Sequence, residues 1–180
     1  MGRACAIWLT GLPASGKTTI GTALIQRLER ISLETELLDG DELRPWLSPD
    51  LGYSSEDRRQ HNLRVIRVGG LLLRHGVTLV VPIVSPYRST RAFAREHLDP
   101  FLEIYVKCPL EECIRRDPKG LYAKALRGEL LNFTGVSAPY EEPEHPDVTL
   151  ESNILTVDAC VDRILEATSI HGYLNDATVE

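Results

Sequence analysis

The 180-residue chain has little that points to a membrane, an oxidising compartment or a polymer partner. Its longest apolar run, Val77 to Val84, is interrupted by Thr78 and Pro82 and is far too short to span a bilayer. The opening stretch MGRACAIWLT enters a strand-like run directly, without the pattern of a secretory signal. Four cysteines, Cys5, Cys108, Cys113 and Cys160, show no CxxC or zinc-type spacing, so buried free thiols are expected. A net charge of −6 excludes a general basic field, which leaves anion binding to local arginines and makes nucleic acid an unsuitable partner. No internal repeat or low-complexity segment is present. Aromatic residues are only 6% of the chain, so those that fall in polar loops carry information.

What is present begins with composition: 43% hydrophobic and 26% charged residues over this length fit one domain, 1–180, with an ample core. Near its start, Gly11 to Thr18 reads GLPASGKT, a glycine, four residues, then Gly-Lys-Thr. The apolar run Ala6 to Leu9 precedes it, and Ile20, Leu24, Ile25 and Leu28 follow at helical spacing, so a strand, a glycine-rich loop and a helix from Thr18 to Ile31 are expected. This is the setting of a P-loop. In it the backbone amides of Gly11, Leu12, Pro13, Ala14, Ser15 and Gly16 (proline excepted), with the helix start at Lys17, Thr18 and Thr19, would converge on ATP phosphates. Lys17 would reach the β- and γ-phosphates, and the Thr18 hydroxyl would serve a Mg²⁺ ion. A nucleotide enzyme with reduced thiols belongs in the cytoplasm.

Further strands are expected at Glu34 to Leu38, Leu79 to Val84 and Phe101 to Val106, with an edge strand at Val148 to Leu150. Helices are expected from a cap at Ser54 or Ser55 to about His75, from Thr90 to His97, after Pro109, and from Val157 to about Thr168. Pro45 to Gly52 reads as irregular, and the tail from Asn175 reads as frayed. Between residues 117 and 146 periodicity fades, which marks a lid. The fold class is therefore α/β: a three-layer fold of the P-loop nucleoside-triphosphate hydrolase type, mainly parallel, with helices on both faces and a mobile lid. The second strand ends at Asp39-Gly40-Asp41, two carboxylates that either serve chemistry or cap the next turn.

The segments LDGDELR (Leu38 to Arg44), GYSSEDR (Gly52 to Arg58), VSPYR (Val84 to Arg88) and RDPKGLYAKALRGELLNFTGVSAPYEEPEHPD (Arg116 to Asp147) follow in that order. Together with the P-loop they resemble adenylyl-sulfate kinases from about Ile7 to Asp147. The resemblance implies transfer of the γ-phosphoryl group of MgATP to the 3′-hydroxyl of adenylyl sulfate, in sulfate activation. It implies Lys17, Asp41 and Lys119 as catalytic groups, with Asp41 orienting the hydroxyl and accepting its proton. Asp39 would hold Mg²⁺ through water. Arg44 and Arg58 would clamp the acceptor's anionic groups, and Tyr53 with Phe133 would sandwich its adenine. Val84 and Ser85 fall at the same acceptor site, where Ser85 is either a strand-end hydroxyl or a phosphoserine. Arg116 would sit on the ATP side. Arg88 would fix its loop or meet phosphate.

Two positions depart from the family pattern. Glu42 stands where an asparagine is usual, and His61 stands at a substrate-contacting asparagine position, with Asn62 next. His61→Asn is therefore expected to change KM for adenylyl sulfate and leave ATP unaffected. The chain begins almost at its first strand and carries no sulfurylase domain, so a link to ATP sulfurylase would join separate chains; a homodimer is the candidate assembly. The alternatives are a P-loop kinase for another hydroxylated small molecule and a nucleotide-binding regulator without turnover.

Overall fold

The computed structural model describes residues 3–173, so the expectation for the tail from Asn175 lies outside the described residues. Five strands form one sheet: β1 (Ala6–Thr10), β2 (Thr35–Leu37), β3 (Thr78–Pro82), β4 (Phe101–Lys107) and β5 (Val148–Glu151). Their order is β2-β3-β1-β4-β5, and every pair is parallel.

Alternation along the central strands fills two cores. Ile7 and Leu9 of β1, Val80 of β3, and Leu102, Ile104 and Val106 of β4 pack with α1 (Lys17–Arg30) and α7 (Val157–Ile170). Ala6 and Trp8, with Leu79, Val81 and Phe101, face α3 (Ser55–Arg74) and α4 (Arg88–His97) on the other side. Both faces are covered, which is why these strands read as unbroken apolar runs. Glu103 and Tyr105 share the second face, because strand side chains alternate. That parity later brings Glu103 to an arginine of α4.

One expectation for the fold changes. Pro45 to Gly52 was expected to be irregular, but Gly40–Leu47 forms a helix, α2, that contains Pro45. Asp39 caps it, its Oδ1 accepting from the Asp41 and Glu42 amides at 2.8 and 3.3 Å. Those two bonds and the packing of Leu43 in the core outweigh the one backbone bond that Pro45 cannot donate. The stretch 117–146, where periodicity fades, nonetheless holds α6 (Leu121–Leu126) after α5 (Leu110–Arg116), nucleated where Asp117 accepts from the Tyr122 and Ala123 amides, each at 3.0 Å. A third, smaller core under this segment joins Cys108, Cys113, Tyr122, Ala125 and Phe133. All four cysteines are free and buried. No helix among the described residues is long and apolar enough to cross a membrane.

Candidate active site

The loop between β1 and α1 lies beyond the carboxyl ends of the parallel strands, where open α/β sheets take their ligands. Gly16 caps α1 at φ 101°, a left-handed conformation that a side chain disfavours. Lys17 is 7% exposed; its Nζ donates to the Gly11 and Leu12 carbonyls at 3.0 and 2.7 Å and lies 3.4 Å from Ser15 Oγ. Burial pulls its ammonium down to about 8, partly offset by Asp41 and Asp39. Pro13 offers its carbonyl to the Tyr122 hydroxyl at 3.0 Å, Ala14 is left-handed at φ 61°, and Thr19 is exposed on α1.

Thr18 Oγ1 donates to Asp39 Oδ2 at 2.7 Å. Asp39 is 3% exposed, and its other oxygen is committed to the α2 amides. A hydroxyl beside a carboxylate is a hard-oxygen pair suited to Mg²⁺, which takes one or two protein oxygens and completes its shell with water and phosphate. Among the described residues there is no cluster of three or more acidic, histidine or cysteine side chains that could hold a metal.

Gly40 fits against Ile83, whose side chain leaves no room for a Cβ, and this seats α2 on the end of β3. Asp41 then stands exposed in the first turn of α2, where its Oδ2 meets Lys119 Nζ at 2.7 Å. The hydrogen bond to Asp41 raises the Lys119 ammonium above its ordinary value. Arg44 lies 4.4 Å from the Tyr53 ring centroid and Arg58 lies 5.5 Å from it, so the ring bears two guanidiniums. Arg44 Nη2 donates to the Gly52 carbonyl, while Arg58 donates to the carbonyls of Tyr53 at 3.1 Å and Asn132 at 2.9 Å. Arg44 Nε is buried without a protein partner. Burial first, then the neighbouring Arg44, lowers the Arg58 pKa.

Other expected residues are engaged differently. Phe133 is 8% exposed and meets Tyr122 edge-on, centroids 5.0 Å apart, which makes it an anchor of the lid's own core. His61 is turned inward: Nδ1 is 2.9 Å from Ser48 Oγ and Nε2 is 3.0 Å from the Gly40 carbonyl. The carbonyl can only accept, so Nε2 carries the proton and Nδ1 accepts from Ser48. Both ring nitrogens are used inside the protein, which corrects the expectation of a substrate contact. Burial, reinforced by Arg44, pulls the His61 pKa down to about 4. Asn62 donates to the Arg58 carbonyl at 2.8 Å, and its Oδ1 is buried without a protein partner.

Val84 offers its carbonyl to Thr10 Oγ1 at 2.8 Å. The Ser85 hydroxyl, 1% exposed, accepts from Trp8 Nε1 at 3.0 Å and donates to Thr10 Oγ1 at 3.0 Å. Ser85 thus stands as the strand-end hydroxyl, closed off by its own partners. Arg88 fixes its loop, with Nε on the Glu142 carbonyl at 2.8 Å and Nη1 on Glu144 at 2.6 Å. Arg116 pairs with Glu112 at 2.9 Å and donates to the Ser15 and Ser152 carbonyls at 3.4 and 2.8 Å.

Sequence reasoning did not find Ser152, whose Oγ donates to the Ser15 carbonyl at 2.6 Å and so ties the P-loop to the end of β5. A lone serine after an edge strand carries no pattern. Tyr122 was visible only as one letter of the lid. A cleft of about 470 Å³ opens between the P-loop and the lid, lined by Leu12, Leu110, Gly135, Ala138 and Tyr140 among others.

Comparison with known proteins adds to this geometry. Residues 3–151 match the family model described as adenylylsulphate kinase. The chain is 48% identical to an adenylyl-sulfate kinase of Myxococcus xanthus (strain DK1622), over 98% of each chain. It is 45% identical to a probable adenylyl-sulfate kinase of Pyrococcus abyssi (strain GE5 / Orsay), over 93% of this chain and 97% of the relative. Its fold is similar to that of the Mycobacterium tuberculosis APS kinase in complex with AMPPNP and APS, with a TM-score of 0.89 and 37% identity over 94% of this chain and 99% of the other.

Proposed function

The chain belongs to the adenylylsulphate kinase family, and on that premise we propose that it transfers the γ-phosphoryl group of ATP to the 3′-hydroxyl of adenylyl sulfate, giving 3′-phosphoadenylyl sulfate and ADP. Membership makes it an ATP-dependent kinase. The observation that supports the acceptor chemistry best is the meeting of Asp41 and Lys119 at 2.7 Å, beside the buried Lys17 and the Thr18–Asp39 pair.

In the proposed reaction the acceptor's 3′-oxygen attacks the γ-phosphorus as its proton passes to an Asp41 oxygen. The new P–O bond forms, the bond from the γ-phosphorus to the β,γ-bridging oxygen breaks, and ADP carries away that electron pair. Asp41 must exchange its lysine contact for the hydroxyl, and Lys119 is then free to meet an anionic group of the bound pair. Lys17, held in a loop of amides at a helix start, lies where charge on the leaving phosphate is offset. Arg44 and Arg58 hold the acceptor's phosphate and sulfate, and Tyr53 offers its ring to the adenine. Thr18 and, through water, Asp39 would hold Mg²⁺, which when bound supplies charge neutralisation between the β- and γ-phosphates. Direct in-line transfer needs no protein nucleophile, and the engaged, buried Ser85 hydroxyl favours that route over a phosphoserine.

We place the activity in sulfate assimilation in the cytoplasm, with a homodimer and a separate ATP sulfurylase as the proposed partners. The test is ADP release from MgATP by the purified protein, with and without micromolar adenylyl sulfate, with the product identified by chromatography. Stimulation that yields 3′-phosphoadenylyl sulfate, and its loss in Asp41→Ala, is expected. ATP binding without stimulation would transfer the reading to another hydroxylated acceptor or to a regulator.

A further inference from the structure

The loop after β3 and the last part of the lid meet on one buried guanidinium that the proposed reaction leaves unused. Arg91 of α4 is 2% exposed. Its Nε donates to Glu103 Oε1 of β4 at 2.8 Å, its Nη1 to the Ser85 carbonyl at 2.6 Å and its Nη2 to the Glu141 carbonyl at 2.6 Å. The Tyr140 ring lies 5.7 Å away, with its hydroxyl 2.9 Å from Thr10 Oγ1 at the end of β1. One planar fork thus joins a central strand, the acceptor-side loop and the lid.

The charges around it balance. Glu103 lies 3.6 Å from Arg95, Arg95 lies 2.7 Å from Asp147, and Asp147 accepts the Glu103 amide at 2.7 Å. Two cations face two anions, so the buried arginine leaves no net charge uncompensated. The same lid segment is secured again by the Glu141 amide on the Pro86 carbonyl at 2.8 Å and by the Arg88 amide on the Glu141 carboxylate at 2.7 Å. The lid's earlier part is held differently: Leu131 is 78% exposed, and the Val136, Ser137 and Ala138 amides all turn back to the Phe133 carbonyl. The side-chain bonds that tie this part to the site, Arg58 on the Asn132 carbonyl, Lys119 on Asp41 and the Tyr122 hydroxyl on the Pro13 carbonyl, are single contacts that movement would exchange.

We propose that Arg91 is a positioning residue that locks lid residues 140–142 to the Ser85 loop as a stationary hinge, so that closure is a movement of the lid's earlier part, residues 117–137, over a stem that does not move. This rests on the acceptor site proposed above, because the Ser85 loop is one wall of it. Ser85 has φ 37°, a conformation uncommon outside glycine, and its carbonyl is the acceptor that Arg91 grips. A lysine keeps the charge at position 91 but is a single point donor, without the planar fork that serves three acceptors in three directions.

The test uses the full chain and two readouts. Hydrogen exchange of the wild type should protect the bonded stem amides of Arg88, Glu141 and Asp147 like β4, while the bonded tip amides of Gly135, Val136 and Ser137 exchange about tenfold faster or more and slow when ADP and adenylyl sulfate are added. Arg91→Lys should lose protection specifically at the Arg88 and Glu141 amides. It should also raise KM for adenylyl sulfate about tenfold, with KM for ATP within about twofold of wild type. Unchanged protection with unchanged KM for both substrates would overturn the proposal, as would equal exchange of these stem and tip amides in the wild type. If Arg91→Lys does not fold, the wild-type exchange pattern decides alone. A wild type that shows no turnover with adenylyl sulfate refutes the acceptor reading instead, and the exchange comparison still decides the hinge.

Discussion

The Lys119 ammonium stands 2.7 Å from the Asp41 carboxylate across 78 residues of sequence, and it brings the lid onto the carboxylate proposed to accept the acceptor's proton. Both side chains are well exposed, at 61% and 70%, so as a salt bridge the pair is worth only about 0–1 kcal/mol to the fold. Its significance is positional: the proposed base and the lid cation share a contact that bound substrate would replace.

Asp41→Asn should therefore lower kcat by about 10²- to 10⁴-fold with little change in melting temperature. Lys119→Ala should also leave stability near wild type while lowering kcat/KM for the acceptor. Coupled ADP-release kinetics and thermal melts check both. A large loss of stability in either variant would mean that the pair serves the fold rather than the reaction.

His61 links α2 to α3 in its neutral form. Its folded pKa, about 4, lies below the unfolded value near 6.5, so between these limits the unfolded chain binds more protons and stability falls as pH falls. The full effect is about 3 kcal/mol, present above pH 6.5 and lost by pH 4. Denaturant melts from pH 4 to 7 should show this slope, and it should flatten in His61→Asn. That variant should also lose about 1–3 kcal/mol at pH 7, because the Gly40 carbonyl and the Ser48 hydroxyl lose a buried partner. A changed KM for adenylyl sulfate without any loss of stability would restore the direct-contact reading.

Lys17 carries the opposite requirement for binding. Its pKa near 8 lies below the ordinary lysine value, so the free protein loses this charge above pH 8 while the unfolded chain keeps it. This group's contribution to stability therefore rises from about pH 8 to 10.5. Phosphate binding needs the ammonium, so ATP affinity should weaken over the same interval. Isothermal titration with ATP at pH 7, 8 and 9 should show Kd rising about tenfold over the two units, about fivefold of it between pH 8 and 9. A flat Kd would show that Lys17 remains charged in the free protein.

Ser152→Ala removes the 2.6 Å donor to the Ser15 carbonyl and should loosen the P-loop rather than the acceptor site. About 1 kcal/mol, near fivefold in Kd for ATP, is expected, with KM for adenylyl sulfate unchanged. Equal effects on both substrates would point to a general loss of structure.

The legible parts of this protein were those written in neighbouring residues. Unbroken apolar runs, Gly11 to Thr18 and the helical spacing of Ile20, Leu24 and Leu28 located the central strands, the phosphate loop and the first helix, because these signals are local. Helix α2 was missed because Pro45 is an interior breaker whose cost is offset by the Asp39 cap and by Leu43 in the core, and only the second of these is distant in sequence. His61 was misplaced because alignment with a motif gives a residue's position along a helix and not the neighbours its ring will find.

By itself the sequence determined the parallel α/β plan, the family and the stock of phosphate-binding, cationic and acidic groups, since each is carried by local pattern and linked motifs. Only the tertiary structure decided which of those groups meet: Lys119 with Asp41, Ser152 with Ser15, and Arg91 with Glu103, Ser85 and Glu141. These pairings depend on the parallel sheet bringing distant strand ends to one edge, and the Arg91–Glu103 contact depends also on side-chain parity choosing the face. Hydrogen bonds act over about 3 Å, so no spacing along the chain records them.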